Sequence, residues 1–289
     1  MARTRALLLA LALAGAPATR VEAQASAAPD TVVVRSGALT LRALLWRPDR
    51  GGPFPAVLFN HGSGHGIRAP SGDHDEHPME WQAARLGPVF ARHGYVFLYL
   101  FRRGTGLSAD QGTNSSDRWE RERAVHGGEA RDRLQLETLK TVELDDAFAG
   151  LTFLRAVPGV DARRIAVVGH SFGGSLTLLM AERDSTLRAA VVFAGAARSW
   201  PRSPALRGRL LAAAAHTSVP VFYVFAANDY SIAPARELSA EMARRGKPHR
   251  LMIYPPVGHT AAEGHGFVHL RIATWEPDVF AFLDEHVRP

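Results

Sequence analysis

Ser171 is the residue whose neighbours in the sequence best fit a catalytic nucleophile. Residues 166–176 read AVVGHSFGGSL, so Gly169, Ser171 and Gly173 form a Gly-x-Ser-x-Gly pattern between an apolar, β-branched run and a helical stretch. In this pattern the serine stands at a sharp strand-to-helix turn, and its flanking positions must lack bulk. The pattern predicts an exposed hydroxyl that attacks a carbonyl carbon. An ordinary loop of small residues is the alternative.

A serine nucleophile needs a base that accepts its proton and a carboxylate that orients the base. Asp229 follows the apolar run VFYVFA and precedes the next helical stretch, which makes it the candidate acid. A turn or helix-capping aspartate is the alternative for it. The later segment YPPVGHTAAEGHGF supplies two candidate bases, His259 and His265. The chain order is Ser, Asp, His for either histidine, and spacing alone does not choose between them.

Acyl transfer also needs donors for the negative oxygen of the tetrahedral intermediate. We expect one from the backbone N–H of Phe172, directly after the serine, and one from Gly62 or Ser63, in the glycine-containing turn after an earlier strand. Trp200 and Tyr230 are candidates for lining a substrate pocket, with burial in the core as the alternative.

Along the chain that positions these groups, apolar runs recur with helical stretches between them. This alternation predicts an α/β fold with a mostly parallel eight-stranded sheet and helices on both faces, opened by an antiparallel hairpin. Expected strands cover 31–35, 39–46, 55–60, 95–101, 164–169, 189–193, 219–226 and 250–254. Expected helices cover 79–93, 136–157, 172–182, 205–215, 233–245 and 277–286.

Two polar segments, 64–78 and 108–133, interrupt this alternation. Both follow strands that end at the predicted site, so we expect them to be loops, either bordering the pocket or simply exposed to solvent. The first, with the nearby His61, concentrates histidines and acids, but their spacing matches no standard zinc site. We therefore predict no metal.

The N-terminus reads MARTRALLLALALAGAPATRVEA, with two arginines, a short apolar run and small residues before position 24. This pattern predicts a signal peptide over 1–23, export to the periplasm or outside, and one domain over 24–289. The apolar run at 6–16 is too short for a membrane anchor. The sequence contains no cysteine, which excludes disulfides and a lipoprotein attachment site, and its arginines form no basic block that would indicate nucleic-acid binding.

Several motifs, FNHGSG, YLFRRGTGLS, GHSFGG, AANDYSIAP and YPPVGHTAAEGHGF, resemble in order and spacing the dienelactone hydrolase branch of the α/β-hydrolases. That branch is related to the catalytic domain of prolyl oligopeptidases, and the resemblance covers about residues 40 to 289. It implies an α/β-hydrolase fold, a serine or cysteine nucleophile, an aspartate and a histidine, and no metal or organic cofactor. Carried over, Ser171 matches the nucleophile, Asp229 the acid, and the Gly-His-Gly-Phe turn favours His265 over His259 as the base.

These features together predict an exported serine hydrolase that cleaves a small carboxylic ester through an acyl-enzyme. The serine departs from the cysteine-bearing members of that family, so the resemblance does not establish a dienelactone substrate. A peptidase of the prolyl oligopeptidase type is one alternative, and a non-catalytic binding protein on the same fold is another.

Overall fold

The computed structural model describes residues 28–49, 51–64 and 77–288. The predicted signal peptide at 1–23 and most of the polar segment at 64–78 lie outside the described residues. Of that segment, Gly64 and residues 77–78 are described.

The described residues form one eight-stranded sheet with the strand order β1-β2-β4-β3-β5-β6-β7-β8. β1 pairs antiparallel with β2, and β2 with β4, whereas all other neighbours are parallel. The predicted hairpin and the predicted mostly parallel sheet are therefore confirmed. The strands are β1 Asp30–Ser36, β2 Leu39–Trp46, β3 Phe54–Asn60, β4 Val96–Phe101, β5 Val160–His170, β6 Ala189–Phe193, β7 Val221–Ala226 and β8 His249–Tyr254.

Helices cover both faces of this sheet, as predicted. They are α1 Met79–Arg92, α2 Ser115–His126, α3 Gly128–Lys140, α4 Val142–Ala156, α5 Phe172–Arg183, α6 Pro204–His216, α7 Ala233–Arg244, α8 Ala261–His265, α9 Phe267–Leu270 and α10 Ile272–Val287. Among these described helices, none combines the length and the apolar character that a membrane span requires.

Two hydrophobic clusters hold the layers together, one on each face of the sheet. Successive residues of a strand point to opposite faces, so Leu58 of β3 packs in the cluster with α4 to α7, and Phe59 packs in the cluster with α1 and α10. Strands buried on both faces are apolar at every position, which explains why the sequence located them within a few residues.

The segment 108–133, expected to be a loop, is mostly helical. Asn114 caps α2 by accepting a hydrogen bond from the Ser116 N–H, and charged residues occupy half of the helix that follows. Its buried residues are only Ser115, Ser116 and Trp119, so the segment lacks the apolar periodicity of a core helix.

The single helix expected over 136–157 is two helices. They meet at Thr141, whose φ of −119° and ψ of −104° are not helical. The Thr141 hydroxyl donates to the Glu137 carbonyl oxygen at 2.8 Å, a local bond that competes with the regular helix. The break lets α3 turn toward α2 while α4 packs on the sheet.

Candidate active site

Ser171 lies at the sharp turn between β5, which ends at His170, and α5, which begins at Phe172. Its φ of 56° is in the left-handed region, which residues other than glycine rarely adopt. The Ser171 N–H donates to the Phe193 carbonyl oxygen of the neighbouring β6 at 2.9 Å. The neighbouring strand thus holds the strained turn in place.

The two glycines of the pattern let α5 begin directly against the strand ends. A Cβ on Gly169 would lie 2.3 Å from the Gly173 carbonyl oxygen. A Cβ on Gly173 would lie 2.0 Å from the carbonyl oxygen of Asn60, at the end of β3. Both distances are far below van der Waals contact, so side chains at 169 and 173 would force this turn apart.

The structure joins Ser171, His265 and Asp229 in one hydrogen-bonded chain. His265 Nδ1 lies 2.8 Å from Asp229 Oδ1, and His265 Nε2 lies 2.9 Å from Ser171 Oγ. An ionised carboxylate can only accept, so Nδ1 carries the proton and the serine hydroxyl donates to Nε2. The Tyr230 N–H also donates to Asp229 Oδ1, at 2.7 Å. The Asp229 side chain is fully buried and that of His265 is 9% exposed, so the chain of bonds is shielded from water.

His265 reaches Ser171 because it ends the short helix α8. Thr260 caps α8 in a capping box with Glu263. The Asn228 side chain accepts from the Val257 N–H at 2.9 Å and donates to the Thr260 carbonyl oxygen at 2.7 Å, which ties this segment to the end of β7 beside Asp229. His259 lies before α8 and is exposed, and its backbone N–H donates to Glu263. The structure therefore places His265, not His259, between the candidate nucleophile and acid.

Two further histidines, His170 and His269, pack beside His265, and the sequence reasoning did not single them out. The ring centroid of His170 lies 4.9 Å from that of His265 and 5.3 Å from that of His269. Burial lowers the pKa of His170 well below its usual value and lowers that of His269 to about 3. Both are therefore neutral at physiological pH, and His170 Nε2–H donates to the His265 carbonyl oxygen at 2.9 Å. Their positions, one before the serine and four after the base, are visible in the sequence but carry no chemical signal on their own.

The predicted oxyanion donors lie around the serine. Phe172 is the first residue of α5, directly after Ser171. Gly62 is close enough that a Cβ built on it would lie 3.7 Å from Ser171 Cβ. Ser63 lies on the wall of a cavity that opens at Ser171. Its carbonyl oxygen accepts a hydrogen bond from the Ser116 hydroxyl at 3.3 Å.

A cavity of about 1,110 Å³ opens at Ser171 and His265. The segment expected to be a loop supplies much of its wall, including Trp119, Glu120 and Arg131. Neither aromatic residue predicted for the pocket is in that wall. Trp200 is 1% exposed and its indole N–H donates to Glu237, so the prediction that it lines the pocket is wrong. Tyr230 instead packs edge-on against the His265 ring, with ring centroids 5.3 Å apart.

Among the described residues, no three His, Cys, Asp or Glu side chains are arranged to hold a metal ion. The histidines and acids at 65–76, where the sequence concentrates them, are outside the described part of the chain.

The sequence matches the model of the dienelactone hydrolase family over residues 82–268, which includes Ser171, Asp229 and His265. The chain belongs to the dienelactone hydrolase family. Its described residues accordingly have the α/β-hydrolase fold. A comparison with curated protein sequences gives no significant match.

Solved structures of other hydrolases share this fold. The acylaminoacyl peptidase of Pyrococcus horikoshii matches with a TM-score of 0.62 and 17% identity over 90% of this chain, which spans only 42% of that protein. An esterase of Pyrococcus furiosus matches with a TM-score of 0.60 and 14% identity, and the match covers 90% of this chain and 91% of the esterase chain. A candidate dienelactone hydrolase of Klebsiella pneumoniae matches with a TM-score of 0.57 and 18% identity over 86% of this chain and 98% of its own. At these identities the likeness shows the fold and not the substrate.

Proposed function

We propose that this protein is a serine hydrolase that cleaves carboxylic esters of small molecules through an acyl-enzyme on Ser171. The observation that carries the proposal is the chain of hydrogen bonds from Ser171 through His265 to the buried Asp229. Membership of the dienelactone hydrolase family, and the shared fold of an esterase of similar length, support it.

In the first half of the reaction, Ser171 Oγ attacks the ester carbonyl carbon while His265 Nε2 takes the hydroxyl proton. Asp229 holds Nδ1–H and stabilises the imidazolium that forms. The backbone N–H groups of Phe172 and of Gly62 or Ser63 stabilise the negative oxygen. The tetrahedral intermediate then collapses, and His265 gives the proton to the leaving alcohol.

In the second half, water enters the cavity beside the acyl-enzyme. His265 takes a proton from this water, and the resulting hydroxide attacks the acyl carbon. When the second tetrahedral intermediate collapses, the proton returns to Ser171 Oγ and the carboxylic acid leaves. Hydrolysis thus consumes one water and needs no cofactor.

The test is hydrolysis of p-nitrophenyl esters of increasing acyl length by the purified protein, with peptide p-nitroanilides in parallel. Ser171→Ala should lower kcat/KM by at least about 10⁴-fold, because it removes the attacking oxygen. Ser239→Ala, the same change in α7 and outside the cavity wall, should retain activity. A fluorophosphonate probe should add to Ser171 in the wild-type protein and not in Ser171→Ala.

Each other outcome points to a different function. Faster cleavage of the anilides than of the esters would indicate a peptidase. No turnover and no label at Ser171 would indicate a binding protein on this fold. Full activity in Ser171→Ala would refute the nucleophile.

We further propose that the protein acts outside the cytoplasm, as its N-terminal sequence indicates. The protein recovered from the extracytoplasmic fraction should then begin at or near Gln24. Recovery of the whole chain from the cytoplasm alone would contradict export.

A further inference from the structure

Arg102 is a buried cation whose guanidinium contacts the loop beside Ser171. It is 1% exposed, and its Nη2 donates to the carbonyl oxygens of both His61 and Gly62, each at 2.9 Å. One nitrogen thus binds two consecutive backbone carbonyls of the loop that carries the proposed oxyanion donors. A buried charge is costly unless it is paired, so this arrangement requires a partner.

Glu143 is that partner. It is 3% exposed, near the start of α4, and its Oε2 accepts from Arg102 Nε at 2.5 Å. Its Oε1 accepts from the Ser115 hydroxyl, also at 2.5 Å. The carboxylate therefore anchors the guanidinium through Nε while Nη2 binds the two carbonyls, so the guanidinium has little freedom to leave them. Arg102 Nη1 has no hydrogen-bond partner among the described residues.

The register of the sheet brings these residues together. β3 and β4 are parallel neighbours, with Asn60 opposite Leu100, so His61 and Arg102 follow directly from adjacent strand ends. The Arg102 backbone N–H donates to His61 Nε2 at 3.2 Å, which leaves Nδ1 protonated. His61 Nδ1–H then donates to the Gly62 carbonyl oxygen at 2.6 Å. That oxygen accordingly accepts two hydrogen bonds.

The orientation of the His61 and Gly62 carbonyls fixes the orientation of the Gly62 and Ser63 N–H groups. In a trans peptide the C=O and the following N–H point in opposite directions. Because the carbonyls of His61 and Gly62 both point at Arg102, the N–H groups of Gly62 and Ser63 point away from it. Gly62 also borders Ser171, because a Cβ built on Gly62 would lie 3.7 Å from Ser171 Cβ.

We propose that Arg102 is a positioning residue that orients the Gly62 and Ser63 N–H groups toward the oxyanion formed on Ser171. This inference rests on the proposed function and names a residue that touches neither substrate nor reacting atoms. Its physical basis is that oxyanion donors are effective when they are held in place before charge develops.

Arg103 offers a matched control. It follows Arg102 in sequence and also pairs with a buried carboxylate of α4, because its Nη2 donates to Asp146 Oδ1 at 2.6 Å. Among the described residues, its hydrogen bonds go to Asp146 and none of them reaches the loop at 61–63. Arg→Lys at either position keeps the charge but removes the planar fork of donors.

The experiment compares Arg102→Lys with Arg103→Lys on one activated ester. Arg102→Lys should lower kcat by about 10²-fold with little change in KM, the size expected when one oxyanion donor is lost. A trifluoromethyl ketone, whose serine adduct places an oxyanion in the same position, should bind more weakly by a similar factor. Arg103→Lys should retain both properties at a comparable melting temperature.

A second variant guards against misfolding. Arg102→Met combined with Glu143→Leu removes both charges together, and such replacements of buried ion pairs commonly preserve folding. It should show the same loss of kcat and of ketone affinity. Native-state hydrogen exchange of the peptide covering 56–64 should be faster in both Arg102 variants and unchanged in Arg103→Lys.

The proposal is overturned if Arg102→Lys matches Arg103→Lys in kcat and ketone affinity, or if hydrogen exchange at 56–64 is the same in both. It is also overturned if only KM changes. Failure of the proposed function looks different, because the wild-type protein would then lack hydrolysis and labelling, whereas the exchange comparison would still decide whether Arg102 orders the loop.

Discussion

Ser171, Asp229 and His265 come from three separate segments, which follow the parallel strands β5, β7 and β8. The carboxyl ends of parallel strands meet along one edge, which is how residues far apart in the chain come within 2.9 Å of each other. Burial of Asp229 and the two hydrogen bonds on its Oδ1 hold the carboxylate in one orientation. At the scale of single residues, the choice between the two candidate bases is the sharpest question.

His265→Ala and His259→Ala should differ widely in activity. His265 contacts both Ser171 and Asp229, so its loss removes the base and should lower kcat/KM on an activated ester by about 10⁴-fold. His259 is exposed and makes its described hydrogen bond through the backbone, which alanine keeps, so His259→Ala should retain wild-type kcat/KM. Steady-state kinetics measures kcat/KM of both variants, and their melting temperatures show whether each variant is folded.

The reverse ranking would transfer the base to His259 and require α8 to move before catalysis. Equal activity in both variants would mean that neither histidine is the base.

At the scale of elements, the site depends on how closely α5 approaches the end of β3. Gly173 packs against the Asn60 carbonyl oxygen. His61, the next residue after Asn60, begins the loop to which the Arg102 guanidinium is hydrogen-bonded. The helix that follows the proposed nucleophile and the loop that carries the proposed oxyanion donors are thus in direct backbone contact. Neither can shift without displacing the other.

Gly173→Ala should therefore cost both stability and activity. A Cβ at this position would lie 2.0 Å from the Asn60 carbonyl oxygen, so α5 must move away from β3. We expect a loss of about 1–3 kcal/mol in the free energy of unfolding and a lower kcat, measured by urea unfolding and by ester hydrolysis.

Gly208→Ala in α6 is the control for this change. A Cβ on Gly208 meets no heavy atom within 4 Å. Alanine favours the helix, so this variant should gain about 0.5–1 kcal/mol in the free energy of unfolding and keep full activity. Equal stability in the two variants would contradict the close approach at Gly173.

At the scale of the whole molecule, three buried histidines link stability to pH. Burial lowers the pKa of His61, His170 and His269 below 6.5, in the case of His269 to about 3. Below pH 6.5 the unfolded chain binds protons at these sites and the folded chain does not. The free energy of unfolding should therefore be highest above pH 6.5 and fall as the pH drops below that value.

His269→Gln should reduce this pH dependence. The variant has one proton fewer to bind on unfolding, so between pH 6.5 and 5 the slope should be smaller than in the wild type by up to about 1.4 kcal/mol per pH unit. Urea unfolding at several pH values measures the slope, and values above pH 7 correct for any change in packing. An unchanged slope would show that His269 is protonated equally in both states.

The sequence by itself determined most of the sheet and singled out the candidate nucleophile. Strands β3 to β7 are buried on both faces, so their apolar runs stand out, and Ser171 is marked by glycines that only a tight turn requires. The helix α2 and the first part of α3, residues 128–135, were not predicted, because they cover the cavity with polar faces and bury few apolar residues.

Only the tertiary structure decided which histidine contacts Ser171. The short helix α8 carries the chain from His259 to His265 and places His265 beside the serine, and sequence spacing does not encode this path. It likewise removed Trp200 from the cavity wall and brought Arg102 to the loop at 61–62. Local patterns record what a residue needs from its own backbone and from burial. Contacts between distant segments depend on strand order and loop paths, which arise only when the whole chain is packed.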